Sequence, residues 1–181
     1  VTEQEVFHSQ RRSNWVRLRT LVVLRWIAIA GQSGAIVGAT QSFGLRFDVG
    51  LAAMTVGASV LANLFSTFLF PENQRLSERQ AMLMMVFDVL QLGLLLFLTG
   101  GLNNPFALLM LAPVTISATV LPLRSTLALG LLAITIVTLQ SGYHLPILGP
   151  DGTQLQLPPL FRFGFWLAIV VGVAFLSLYA G

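Results

Sequence analysis

Two groups of residues in this chain have the types and spacing to do chemistry, and both are set among long apolar runs. The first is Gly100-Gly101-Leu102-Asn103-Asn104-Pro105-Phe106. Two readings are open for it. In one, Gly100 and Gly101 end a helix by supplying positive φ, Asn104 caps the next helix, and Pro105 takes its first turn, where a missing N–H costs nothing. In the other, a tight turn at the membrane surface offers amide and backbone donors and an aromatic face to an amphipathic molecule dissolved in the lipid. The second group is Arg25, Asp88 and Asn63. By helical rise Arg25 lies about 8 Å and Asp88 about 11 Å in from the cytoplasmic ends of their spans, with Asn63 at a comparable depth. An ionisable group at that depth must pair or serve a function. The sequence therefore predicts an Arg25 to Asp88 pair between the first and third helices, with Asn63 as a candidate third member. Such a pair is either a clamp that fixes packing or an element whose geometry changes with ligand.

The elements that must hold these residues follow from composition. Of 181 residues, 55% are hydrophobic and only 9% charged, and the mean hydropathy is +0.81, which describes a membrane protein rather than a soluble domain. With no cysteine, neither a disulfide framework nor a thiol metal site or redox switch can reside here. Every basic residue is Arg and the net charge is +3; basic loops of this kind suit phospholipid headgroups better than nucleic acid.

Apolar runs predict an all-α membrane protein, a bundle of six transmembrane helices over about 20–40, 49–70, 81–99, 106–121, 126–141 and 160–181. Residues 1–19 read as a cytoplasmic juxtamembrane segment, too acidic at Glu3 and Glu5 for a signal peptide, with Arg11, Arg12, Arg17 and Arg19 around Trp15 facing anionic lipid. The first span carries Gly34 and Gly38 at a small-xxx-small spacing that permits close helix approach. Pro71 to Gln80 reads as a charged loop, and Pro113 in the fourth span predicts a kink, with Thr115, Ser117 and Thr119 near enough to answer the freed carbonyl. The sixth span is still apolar at Gly181, so the chain reads as a fragment. Six spans put both termini on one side. Arg11, Arg12, Arg17, Arg19, Arg75, Arg79 and Arg124 on that side, against Arg46 and Arg162 on the other, make it the cytoplasm.

The 100–106 string matches a GGxxNPF pattern, and the chain around it resembles the RegB/PrrB/ActS family of bacterial redox-responsive sensor histidine kinases. The likeness extends to Asn14 through Thr20, to Leu24-Arg25-Trp26 and to Leu111 through Thr119. It implies an inner-membrane sensor domain that binds ubiquinone near Gly100, Gly101, Asn103, Asn104, Pro105 and Phe106. It also implies a homodimer, a cytoplasmic kinase domain absent from this chain whose autophosphorylation the sensor regulates, and a partner response regulator reached through that domain.

A quinone offers two carbonyl acceptors and a flat ring, so its site needs a donor or two, an apolar wall and a lateral opening for the tail. By topology Gln140, Tyr143, His144, Phe161, Phe165 and Trp166 share the level of the motif. The chain itself shows no catalytic residues, no phospho-acceptor histidine box and no ATP-binding box; His8 has nothing of a phosphorylation site around it. A haem or metal enzyme is a poor fit, since two histidines on opposite sides of the membrane make no ligand set. A small transporter or channel and a structural membrane module remain as alternatives. The transporter would need polar residues along a whole route, whereas these gather at one inner level and one outer loop.

Overall fold

With no water inside a bilayer, backbone amides must bond to one another, and the chain answers with helices throughout. The computed structural model describes residues 18–69 and 76–179. Arg11, Arg12, Trp15, Arg17 and the Pro71 to Arg75 part of the charged loop lie outside the described residues. The helices are α1 (Leu18–Val37), α2 (Val49–Leu69), α3 (Glu78–Leu98), α4 (Leu111–Val120), α5 (Leu123–Gln140) and α6 (Pro159–Tyr179). Five of the apolar helical stretches are long enough to cross a membrane, and Pro105–Val120 is a shorter apolar one. It still crosses, because its first part, Pro105–Met110, is a 3-10 helix. At about 2.0 Å per residue there and 1.5 Å in α4, the whole spans about 27 Å. Six crossings place both described ends on one side, with Arg19, Arg79 and Arg124 there and Arg46 and Arg162 at the other.

Local chemistry moves several boundaries. Ser77 and Gln80, expected in a loop, form a capping box: Ser77 Oγ accepts from Gln80 N–H at 3.4 Å and Ser77 N–H donates to Gln80 Oε1 at 2.9 Å. This pattern starts α3 at Glu78. Pro122, in extended conformation, starts α5 at Leu123. Pro113 lies in the first turn of α4, where a missing N–H is least costly, and the change of helical form falls just before it at Met110. The hydroxyls of Thr115, Ser117 and Thr119 donate instead to Leu111, Val114 and Ile116 carbonyls. A Cβ at Gly34 or Gly38 would meet nothing within 4 Å, so neither glycine serves a close helix approach among the described residues.

The larger apolar core lies mainly among α3, α4, α5 and α6, centred on Val89, Met110, Val114, Leu129 and Ile169 and joined by Leu18 and Leu21 of α1, and a smaller one joins α1, α2 and α3 through Ile29, Ala52, Val56 and Leu95. Polar side chains stitch the helices where apolar packing gains nothing over lipid. Asn63 Nδ2 donates from α2 to the Val22 carbonyl of α1 at 3.0 Å. Gln140 Nε2 donates from α5 to the Gly93 carbonyl of α3 at 2.6 Å, and Thr126 Oγ1 from α5 to the Ser117 carbonyl of α4 at 3.1 Å. Trp166 Nε1 of α6 donates to Thr138 Oγ1 of α5 at 3.0 Å.

Between α1 and α3 the stitch is ionic. Arg25 Nε donates to Asp88 Oδ1 at 2.7 Å and Nη2 to Asp88 Oδ2 at 3.1 Å, and the guanidinium stands 5.6 Å from the Phe87 ring centroid. Asn63 bonds the α1 backbone and joins neither member. Reversing one charge, Arg25→Asp or Asp88→Arg, should cost about 3–5 kcal/mol, because it leaves a buried charge facing its like. The double exchange should recover most of it. Thermal unfolding of the chain in micelles checks this: additive losses in the double variant would mean that the pair carries no coupling.

Candidate functional site

The turn after α3 is built by its two glycines. Gly100 has φ 101° and Gly101 φ 57°, a region costly for residues with a Cβ. Space demands glycine as well: a Cβ on Gly101 would sit 2.8 Å from the Gln140 carbonyl oxygen and 2.9 Å from the His144 side chain, and one on Gly100 2.9 Å from Ile147. A 3-10 turn, Gly101–Asn103, follows; then Asn104, extended, caps the Pro105–Met110 helix, its Oδ1 accepting from Phe106 N–H at 2.9 Å.

The two asparagines have different duties. Asn103 is 2% exposed. Its Nδ2 lies 3.2 Å from both the Gly100 carbonyl and His144 Nε2, and its Oδ1 accepts from Leu157 N–H at 3.0 Å. With His144 Nδ1 donating to the Leu145 carbonyl at 3.0 Å, Nε2 is the acceptor, and every polar atom of the Asn103 amide is used. Asn103 is a clamp that ties the turn to the α5–α6 loop. Asn104 Nδ2 donates one hydrogen to Thr99 Oγ1 at 2.8 Å; its second N–H has no partner among the described residues.

The loop that Asn103 holds is itself ordered. Arg46 and Leu148 exchange backbone hydrogen bonds of 2.8 and 2.9 Å, and Leu145 N–H donates to the Phe97 carbonyl at 2.9 Å. Gly152, φ 81°, turns the loop. Thr153 donates to Asp151 from its hydroxyl and its backbone N–H, holding that exposed carboxyl below the usual carboxylate range. Three outer connections thus make a cap over the ends of α1 and α3.

Beneath the cap lies an apolar cavity of about 380 Å³. Asn103, Asn104, Pro105 and Phe106 line it with Thr99 at the end of α3; Phe43 and Phe47 from the α1–α2 connection complete an aromatic wall. None of the six residues expected at this level, Gln140, Tyr143, His144, Phe161, Phe165 and Trp166, lines it. Tyr143 and Phe161 are exposed, and Trp166 packs against the four-helix core. Gln140 is buried and spent on Gly93. A cavity wall drawn from a connection distant in sequence leaves no local signal.

A second cavity of about 390 Å³ lies on the inner side, with walls from α1 and α4 and a floor from α3; Arg25 and Asp88 line it. Gln32, Leu92 and Leu109 line both cavities. Here Gln32 and Gln91 form a reciprocal amide pair, Nε2 to Oε1 at 3.3 and 3.0 Å, and Gln91 donates again to the Thr55 carbonyl of α2 at 3.3 Å. Sequence reasoning passed over Gln32 and Gln91, although a carboxamide in the middle of an apolar span was signal enough. The polar residues at this middle level pair with one another.

The family model for a PilS-like transmembrane domain matches residues 4–143. Over 175 residues, 97% of this chain, it is 53% identical to a Cereibacter sphaeroides protein named sensor histidine kinase RegB. A second protein of that name from the same species is 55% identical over 175 residues. The chain spans only 38% of the length of either relative. No solved structure matches it at a significant level.

The geometry of the turn sets one expectation. Gly101→Ala should lower stability by about 1–3 kcal/mol through backbone strain alone, and by more through its contact with Gln140. Gly142→Ala, whose Cβ would meet nothing within 4 Å, should change it by less than about 0.5 kcal/mol. Paired melting curves check this, and equal midpoints for the two variants would contradict it.

Proposed function

Because this chain belongs to the PilS-like transmembrane domain family, we propose that it is the membrane sensor of a redox-responsive histidine kinase and binds ubiquinone in the outer cavity. Bound quinone would regulate autophosphorylation of a cytoplasmic kinase domain in the remainder of the protein, within a homodimer that addresses a response regulator. The domain lies in a bacterial inner membrane with several passes. The observation that carries the ligand reading is an apolar cavity at the outer end of the bundle whose polar end is formed by Thr99, Asn103 and Asn104.

The residues present suit a quinone ring. The unspent N–H of Asn104 can donate to a ring carbonyl, while Phe106, Phe43 and Phe47 offer flat apolar surface. Gly100, Gly101, Asn103 and Pro105 act through the shape of the turn and would not touch the ligand by polar contact. When bound, quinone supplies a two-electron redox couple whose state the protein reads. Reading requires only that one state favour one helix arrangement; a tenfold difference in affinity supplies about 1.4 kcal/mol. A transporter is less well supported, since Gln32, Gln91 and Arg25 pair among themselves and with Asp88 instead of lining a polar route.

Quinone titration of the chain in nanodiscs, followed by quenching of tryptophan fluorescence, tests the reading. Saturable binding is expected. Asn104→Ser keeps a capping oxygen but loses the amide donor, and should weaken binding about fivefold, the worth of one hydrogen bond of about 1 kcal/mol; Phe106→Ala should weaken it about tenfold. Unsaturable quenching, or variants that bind like the wild type, would leave the turn as a cap and clamp only.

A further inference from the structure

The two cavities share wall residues, Gln32, Leu92 and Leu109. Both run along the same face of α3, from Met85 at the inner end to Thr99 at the outer, a length of about 21 Å by helical rise. Both are bounded on one side by α1 and on the other by the Leu109 turn or α4. At their junction Gln32 and Gln91 spend amide groups on each other, so the groove does not present two unmet carboxamides midway. At the inner end Arg25 and Asp88 neutralise one another through two hydrogen bonds, and the walls around them are apolar: Leu21, Leu24 and Ala28 on α1, Leu109 and Ile116 opposite. Small residues stand on both walls of the inner cavity. Gly31 and Ala112 line it, and a Cβ at Gly31 would meet nothing within 4 Å.

We infer that the two cavities are one lipid-facing groove, and that its inner half receives the prenyl tail of the quinone whose ring lies in the outer half. This rests on the quinone reading above and adds a requirement for tail length that the turn alone does not impose. A ring at Asn104 and Phe106 fills only the outer half. The tail has no hydrogen bonds to make, and the groove between α1 and α4 lets it reach the membrane interior without crossing the polar outer cap. Binding would then depend on residues about two to three turns of helix away from the motif, on walls that carry no polar contact to the ligand.

Large side chains placed where the groove has room separate the two halves. Gly38 lines the outer cavity and, like Gly31, has open space over its Cα; Ala112 is exposed on α4. The double variant Gly31→Phe with Ala112→Phe closes the inner half from both walls, and Gly38→Phe narrows the outer. Affinity is measured in nanodiscs at equal mole fraction in lipid for ubiquinones with one and with ten isoprene units. The inner double variant should bind the long-tailed quinone at least tenfold more weakly than wild type and the short-tailed one unchanged; Gly38→Phe should weaken both. Equal affinity of the double variant and wild type for the long tail, or equal loss for both tails, overturns the tail groove while leaving the ring site standing. If wild type binds neither quinone, or Gly38→Phe weakens neither, the outer cavity is not a quinone site and the inference falls with it.

Discussion

A polar group inside a bilayer has no water to turn to, and this bundle is arranged around that fact. Leucine facing leucine gains little over leucine facing a lipid tail, so helices are located by the few side chains that need a partner. α3 gathers most of them. Asp88 and Gln91 take Arg25 and Gln32 from α1, Gln91 reaches the α2 backbone, and the Gly93 carbonyl receives Gln140 from α5. The glycine is part of that last contact, since a Cβ there would lie 2.9 Å from Ile136 of α5. α1 is thus held to α3 by side chains that reach across a gap, and the gap is the groove.

The outer turn applies the same rule at the membrane surface. Its polar residues are mostly committed to structure: Asn103 to the loop, His144 to Asn103, the Asn104 oxygen to Phe106. One N–H on Asn104 is left over. The two readings of the motif are therefore not rivals, because a turn fixed so firmly is what holds a single donor in place at the end of an apolar cavity.

Much of this was legible in the sequence. Hydropathy alone separates the spans, and the lone charges Arg25 and Asp88 stand out against an apolar background at similar depth. The rest was hidden for definite reasons. The capping box at Ser77 was absorbed into a stretch read by its charge. The cavity wall of Phe43 and Phe47 depends on how an outer connection folds over, which no local periodicity encodes. Gln32 and Gln91, being uncharged, did not register as groups that the bilayer forces to pair. Asn63 has the depth of the ion pair but points to the α1 backbone at Val22, a choice set by azimuth around α2 and not by depth.

The 3-10 run Pro105–Met110 joins this turn to α4. A 3-10 residue advances about 0.5 Å more than an α residue and turns about 20° further, so the segment behaves like a screw thread. Each residue passing from 3-10 to α form would draw α4 toward the turn and rotate it at once, and the reverse passage would push it away. Depth and facing direction of α4 are, in this element, a single coordinate, and Phe106 sits at its first turn.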